Sequence, residues 1–230
     1  MNSPAGRLYI DGYNLYKSAL EREPSLKWLD LETLADALMP GVRVDRVLYC
    51  SAEAMPTKAD PHAKKRQAQY WRALTQRNGS RVVVVRGKHQ RRKLSGAPVR
   101  DPERYCLAGG PADCRCCADA TWHIKRREEK QTDVNLAIRL VQDALEGKIQ
   151  RAAIISDDTD LQGAIDLLAA NAATKHIPVD VFSPARLGSK APLKGATNGD
   201  LTEEALRAAQ FPATVSLRGR AAAVRPAEWQ

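Results

Sequence analysis

The sequence predicts a parallel α/β fold, and three observations carry that prediction. Five short apolar runs, at residues 7–11, 42–50, 81–86, 151–156 and 177–182, have the length and β-branched content of buried strands. Amphipathic stretches of helical period separate most of them, and short turns of Gly, Pro and Asp join the two kinds of segment. Strands that alternate with helices in this way bury a parallel sheet on both faces.

The first run, Arg7 to Asp11, stops at a Gly12 turn, which leaves Asp11 at the strand's carboxyl end and Asn14 able to cap the segment after it. Asp30 precedes Leu31, Leu34, Ala35 and Leu38 at helical spacing, and Pro40-Gly41 ends the pattern, so a helix is expected over residues 30–39. Asp60 and Pro61 read as the cap and first position of a helix that runs to Asn78, where Gly79 stops it. Four consecutive valines mark the third strand. Thr132 is a candidate cap for a helix with Val134, Ala137, Ile138, Val141 and Leu145 on one face and Gly147 as terminator. The fourth strand runs directly into Asp157-Asp158-Thr159-Asp160. Leu161, Ile165, Leu168 and Ala169 then mark a helix before the fifth strand.

A chain of 230 residues suits one domain with a full core, expected over residues 1–212. From Gly87 to about Arg127 no period survives, so residues 88–127 are expected to form a basic, Cys-rich surface insertion. Residues 213–230 contain proline and are expected to be an irregular tail. No run has the length or apolarity of a signal-peptide core or membrane span, so a cytoplasmic protein with no membrane partner is expected.

Lys and Arg outnumber Asp and Glu by 36 to 27, and the excess is concentrated. Residues 58–104 hold 14 basic and 3 acidic side chains, a local net of +11, so the remainder of a chain at +9 nets −2. Such a block attracts a polyanion by releasing its counterions, which favours nucleic acid as partner over a merely solvated basic face. Arg72 and Arg77 in the expected third helix, and Arg91 and Arg92 in the insertion, are the candidate phosphate contacts. Tyr105 and Trp122 are available to stack on bases, with ordinary packing as the plainer reading.

Five cysteines, an odd number in a reducing compartment, argue against a disulfide framework. Cys114 and Cys117 have the spacing that lets two thiolates hold one zinc ion, with Cys106 or His123 able to complete the shell; a metal-free loop is the alternative. Cys50, at a strand end, reads as a small buried hydrophobe.

In a parallel sheet, sites form beyond the carboxyl ends of strands. Asp11 and the 157–160 acidic run both end strands, and Asp133 opens the helix leading to the fourth. Each aspartate alone is a common turn or cap residue. Several brought together repel one another unless a cation neutralises them, and hard oxygen donors suit Mg²⁺ or Mn²⁺. No histidine lies in a recognisable nucleophilic triad, and the glycines form no phosphate-cradling loop.

Three segments, Tyr9-Ile-Asp-Gly-Tyr-Asn-Leu-Tyr16, Glu129-Lys-Gln-Thr-Asp-Val-Asn-Leu-Ala137 and Ile154-Ile-Ser-Asp-Asp-Thr-Asp-Leu161, resemble those of the NYN domain family, a branch of the PIN-like nucleases, in its bacterial members. The resemblance implies a PIN-like, Rossmann-like central parallel sheet with helices on both faces and a metal-dependent ribonuclease site. It places the catalytic, metal-binding acids on Asp11, Asp133, Asp158 and Asp160, with Asp11 and Asp158 as the leading direct ligands. Asn14 would orient that edge, Thr159 would bond a phosphate oxygen and Lys130 would steer phosphate. Two positions depart from the family's usual pattern, since Asp157 and Gln131 each stand where glycine is frequent.

The function expected is therefore a metal-dependent endoribonuclease that hydrolyses RNA phosphodiester bonds. The alternatives are a non-catalytic nucleic-acid-binding module and a metal-dependent phosphatase or nucleotide hydrolase, because the same chemistry serves small phosphoesters.

Overall fold

The computed structural model describes residues 3–96, 122–184 and 192–230, the side chains of 90–96 and 122–129 excepted. Its centre is a six-stranded sheet of β1 (Ala5–Asp11), β2 (Arg43–Ser51), β3 (Val82–Arg86), β6 (Arg151–Ile155), β7 (Val179–Ser183) and β8 (Thr197–Asp200), in the order β3-β2-β1-β6-β7-β8. Every pairing in it is parallel. Between β3 and β6 in the chain lie β4 (Lys88–Gly96) and β5 (Trp122–Lys130), which pair with each other in a separate two-stranded sheet. Residues 89–129 form a compact unit of their own.

Strand period sets the two cores. Leu8, Ile10, Val47, Tyr49, Ala153 and Ile155 point to one face, where α2 (Leu31–Leu38), α3 (Ala63–Gln76) and α6 (Glu203–Ala208) cover them. Their strand neighbours Tyr9, Leu48, Cys50, Ala152 and Ile154 point to the other, beneath α4 (Thr132–Leu145) and α5 (Gln162–Ala170). Cys50 is buried as expected. Asp30 caps α2 by accepting from the amides of Glu32 at 3.0 Å and Thr33 at 3.4 Å, a contact worth about 1 kcal/mol.

Several expected details change. The buried face of α4 is Leu136, Leu140 and Ala144, whereas Val134, Ile138 and Leu145 are more than half exposed. Of the expected face only Ala137 and Val141 pack against the core, at the border of the buried stripe. Gln131, not Thr132, stands at the amino cap, with a left-handed φ of 76° and no side-chain capping bond. Helix α3 starts at Ala63, because Asp60 turns its carboxylate to Arg66 at 2.5 Å instead of to the helix amides. The tail is not irregular. Strands β9 (Thr214–Leu217) and β10 (Arg220–Val224) form an antiparallel hairpin that buries Val215, Leu217 and Ala223 in the core, and Trp229 packs 6.0 Å from the Tyr70 ring. Among the described residues, no helix is long and apolar enough to cross a membrane.

Candidate metal centre

The strand order reverses at β1, with β2 on one side and β6 on the other, and the carboxyl edge at such a switch is where parallel sheets form their sites. Asp11 ends β1 there. Gly12 comes next because the chain turns against β2: a Cβ at Gly12 would lie 2.8 Å from the Cys50 carbonyl oxygen and 2.7 Å from the Tyr49 ring. The turn lets Asp11 cap the short helix α1 (Gly12–Leu15), accepting from the Asn14 amide at 2.9 Å. Just beyond the end of β6, Ser156 donates to the second Asp11 oxygen at 3.3 Å and accepts from the Asp158 amide at 3.0 Å. Burial pushes the Asp11 carboxyl up, the amide and hydroxyl donors oppose that shift, and the nearby Asp158 charge adds to it.

Asp133 reaches the same edge from the opposite direction. Its helix is anchored at the far end by a buried clamp, in which Asp143 accepts from Tyr9 at 2.9 Å and pairs with Arg7 at 2.7 Å. Burial, followed by the Asp143 charge, pushes the Tyr9 phenol well up, so it remains a donor. Ten residues separate Asp143 from Asp133, roughly 15 Å of helix. At the near end the chain passes close to the end of β3, where a Cβ on Gly87 would lie 2.9 Å from the Lys130 carbonyl oxygen and 2.7 Å from the Thr132 methyl. The left-handed Gln131 makes the last turn, and its carbonyl accepts from Asn135 at 2.8 Å to start the helix.

The result is that Asp133, Asp158 and Asp160 each offer a carboxylate oxygen within 4.8 Å of the other two. Asp133 and Asp158 are half-buried and Asp160 is exposed. Asp158 also caps the turn Thr159–Leu161, accepting from the Asp160 amide at 2.9 Å, which holds its side chain against the backbone that carries Asp160. Like charges so close favour a divalent cation. The arrangement can bind a metal ion through hard oxygen donors.

Asp11, expected as a leading direct ligand, stands outside this group of three; its oxygens are engaged by Asn14 and Ser156, and it braces the third motif from beneath. The extra carboxylate of Asp157 is outside the group as well. It is buried, accepts from the Ser183 hydroxyl and so ties the end of β6 to the end of β7.

Asn14 caps nothing: its side-chain oxygen accepts from the Asp157 amide at 3.2 Å and joins the first motif to the third. Thr159 and Lys130 are exposed, Thr159 beside the aspartates and Lys130 at the end of β5. Arg72 in α3 and Arg77 just after it, both expected to grip phosphate, are committed elsewhere. Arg77 pairs with Asp30 at 2.9 Å and Glu32 at 2.6 Å and lies over the Phe211 ring, while Arg72 donates to the Ala221 carbonyl at 3.2 Å. Arg91, Arg92 and the possible zinc ligands Cys106, Cys114, Cys117 and His123 lie outside the residues whose side chains are described. Ser156 was missed in the sequence. Its only signal there is its place between a buried strand and an acidic run.

No family model matches the chain. The chain is 29% identical, over 254 aligned positions, to the 6-hydroxy-3-succinoylpyridine 3-monooxygenase HspA of Pseudomonas putida (strain DSM 28022 / S16), a match that covers 97% of this chain and 74% of that protein. It is also similar to a crystal structure of a protein of unknown function from Vibrio parahaemolyticus RIMD 2210633, with a TM-score of 0.47 and 14% identity over 88% of this chain and 95% of that one.

Proposed function

We propose that this chain is a PIN-like, metal-dependent nuclease that hydrolyses phosphodiester bonds in RNA. The observation that carries the proposal is the convergence of Asp133, Asp158 and Asp160 within 4.8 Å at the carboxyl edge of a parallel sheet. The resemblance of the three motifs to the NYN domain family supports the same reading. The three carboxylates would hold Mg²⁺ or Mn²⁺, and a cation there would polarise the scissile phosphate and lower the pKa of a bound water. The chain's own contribution is alignment. Asp11 and Ser156 fix the backbone at Asp158, Asn14 fixes it at Asp157, and the Arg7–Tyr9–Asp143 clamp fixes the helix that carries Asp133. The excess of basic residues supports a polyanionic substrate.

The test is cleavage of a labelled RNA by the purified protein with Mn²⁺ and with chelator. Cleavage that requires Mn²⁺ and disappears in Asp158→Asn and Asp133→Asn, with RNA binding retained, is the expected result. Binding without cleavage in every condition selects the non-catalytic module, and turnover of nitrophenyl phosphate alone selects the phosphatase. The alignment along 97% of the chain favours one second reading, oxygenation of a substituted pyridine as named for the relative. Oxygen uptake with 6-hydroxy-3-succinoylpyridine and a two-electron reductant would identify it.

A further inference from the structure

From the way the arginines around α3 and β3 are held, we infer that Arg86, seated on Trp71, contacts a backbone phosphate of the bound nucleic acid strand. The inference rests on the proposed function and adds a substrate contact to it. Arg66 pairs with Asp60 and Glu228, Arg72 donates to a backbone carbonyl, Arg77 pairs with Asp30 and Glu32, and Arg81 pairs with Glu32 and Asp36. Arg86 differs from all of them. Among the described residues it has no acidic partner and no side-chain hydrogen bond, and its guanidinium lies 5.4 Å from the centre of the Trp71 ring. Stacking on an indole restricts a guanidinium without consuming its N–H donors, which remain directed to solvent or ligand.

Position makes this donor set useful. Arg86 is the exposed last residue of the edge strand β3, in register with Ser51 at the end of β2, while Cys50 is in register with Asp11 at the end of β1. Two strand spacings, roughly 10 Å, therefore separate it laterally from Asp11 along one sheet edge. It projects on the α3 side, as Val84 and Val82 do two and four residues earlier. Asp158 and Asp160 follow β6, one spacing beyond β1, so a strand bound across the edge with one phosphate at the aspartates brings a phosphate further along it toward Arg86. The planar fork of guanidinium donors matches phosphate oxygens. Trp71 is 8% exposed, and its indole N–H has no acceptor among the described residues. A phenylalanine there would keep a ring under the guanidinium and remove that orphaned group.

The experiment measures dissociation constants of a labelled RNA oligonucleotide, in chelator, against salt concentration, with folding of each variant checked by circular dichroism. Arg86→Ala is expected to make the plot of log affinity against log salt shallower by about 0.7, the contribution of one phosphate on a single strand. It should weaken binding roughly tenfold at low salt for all RNA sequences alike. Arg86→Lys should keep the slope, because the charge stays. Trp71→Phe should bind as wild type and Trp71→Leu more weakly. A wild-type slope and affinity in Arg86→Ala, with RNA bound by the wild-type protein, overturns this inference and leaves the nuclease reading standing. Failure of the wild-type protein to bind RNA overturns both.

Discussion

Replacing Arg77 by alanine should damage the fold and leave RNA affinity intact, the reverse of what its place in a basic helix suggests. Its guanidinium bridges Asp30 and Glu32, whose side chains are 10% and 8% exposed. Removing one partner of such a buried pair costs about 3–5 kcal/mol when the remaining charge is left alone. Here the carboxylates keep other donors: Glu32 retains Ser80 at 3.1 Å and Arg81 at 2.9 Å, and Asp30 retains the Glu32 amide at 3.0 Å. The electrostatic loss should therefore fall to about 2–3 kcal/mol. The contact with Phe211 adds about 0.5–1 kcal/mol. A total near 3 kcal/mol lowers Tm by roughly 6–12 °C for a domain of this size. Burial alone would raise the Glu32 carboxyl, but the Arg81 amide and the Arg77 and Arg81 guanidinium groups hold it below its usual value. A carboxyl held low in the folded state contributes stability that is present at neutral pH and lost as pH falls through its folded pKa. The difference between wild type and Arg77→Ala should accordingly be largest near pH 7 and shrink in acid. Urea unfolding at several pH values measures both effects, with an unchanged m-value expected. A stability change below about 0.5 kcal/mol, the size typical of plain surface substitutions, together with a fall in RNA affinity, would refute the structural role of this arginine.

Two further predictions concern the chain's departures from glycine. Gln131→Gly should stabilise the protein by up to about 1 kcal/mol, because the left-handed backbone at φ 76° suits glycine while glycine's extra unfolded-state entropy offsets part of the gain; urea unfolding checks it, and a destabilised variant would show that the Gln131 side chain contributes more than its backbone costs. Asp157→Asn should leave Mn²⁺ affinity close to wild type, since asparagine keeps an oxygen for the Ser183 hydroxyl. Loss of Mn²⁺ binding in that variant would place Asp157 in the metal shell instead.

The parts of this fold that were legible in the sequence are those where local signals and burial agree. Strands β1, β2 and β6 are apolar runs buried on both faces, and α2 has its Asp30 cap. Helix α4 was legible only in part: Ala137 and Val141 of the expected face pack against the core, but only the position of the sheet decides that 136/140/144 and not 134/138/145 turn inward. Strand β8 is four exposed residues with no alternation to detect. The hairpin at 214–224 did alternate, with Val215 and Leu217 inward, but the flanking Pro212 and Pro226 and its distance from the motifs hid it. At the site, strand-end aspartates were visible as candidates. Which of them face one another was not, because that depends on how Gly87 and Gln131 bring α4 back to the edge. The partners of Arg77 lie more than 40 residues away in sequence, so nothing local distinguishes it from Arg86.

The central claim, that three carboxylates form one cation site, is tested most directly by calorimetric titration of Mn²⁺ into chelator-stripped protein. Saturable binding by the wild-type chain, abolished in Asp158→Asn and strongly weakened in Asp133→Asn and Asp160→Asn, is the result this arrangement predicts. Binding that is absent from the wild-type chain, or unchanged in all three variants, would contradict it.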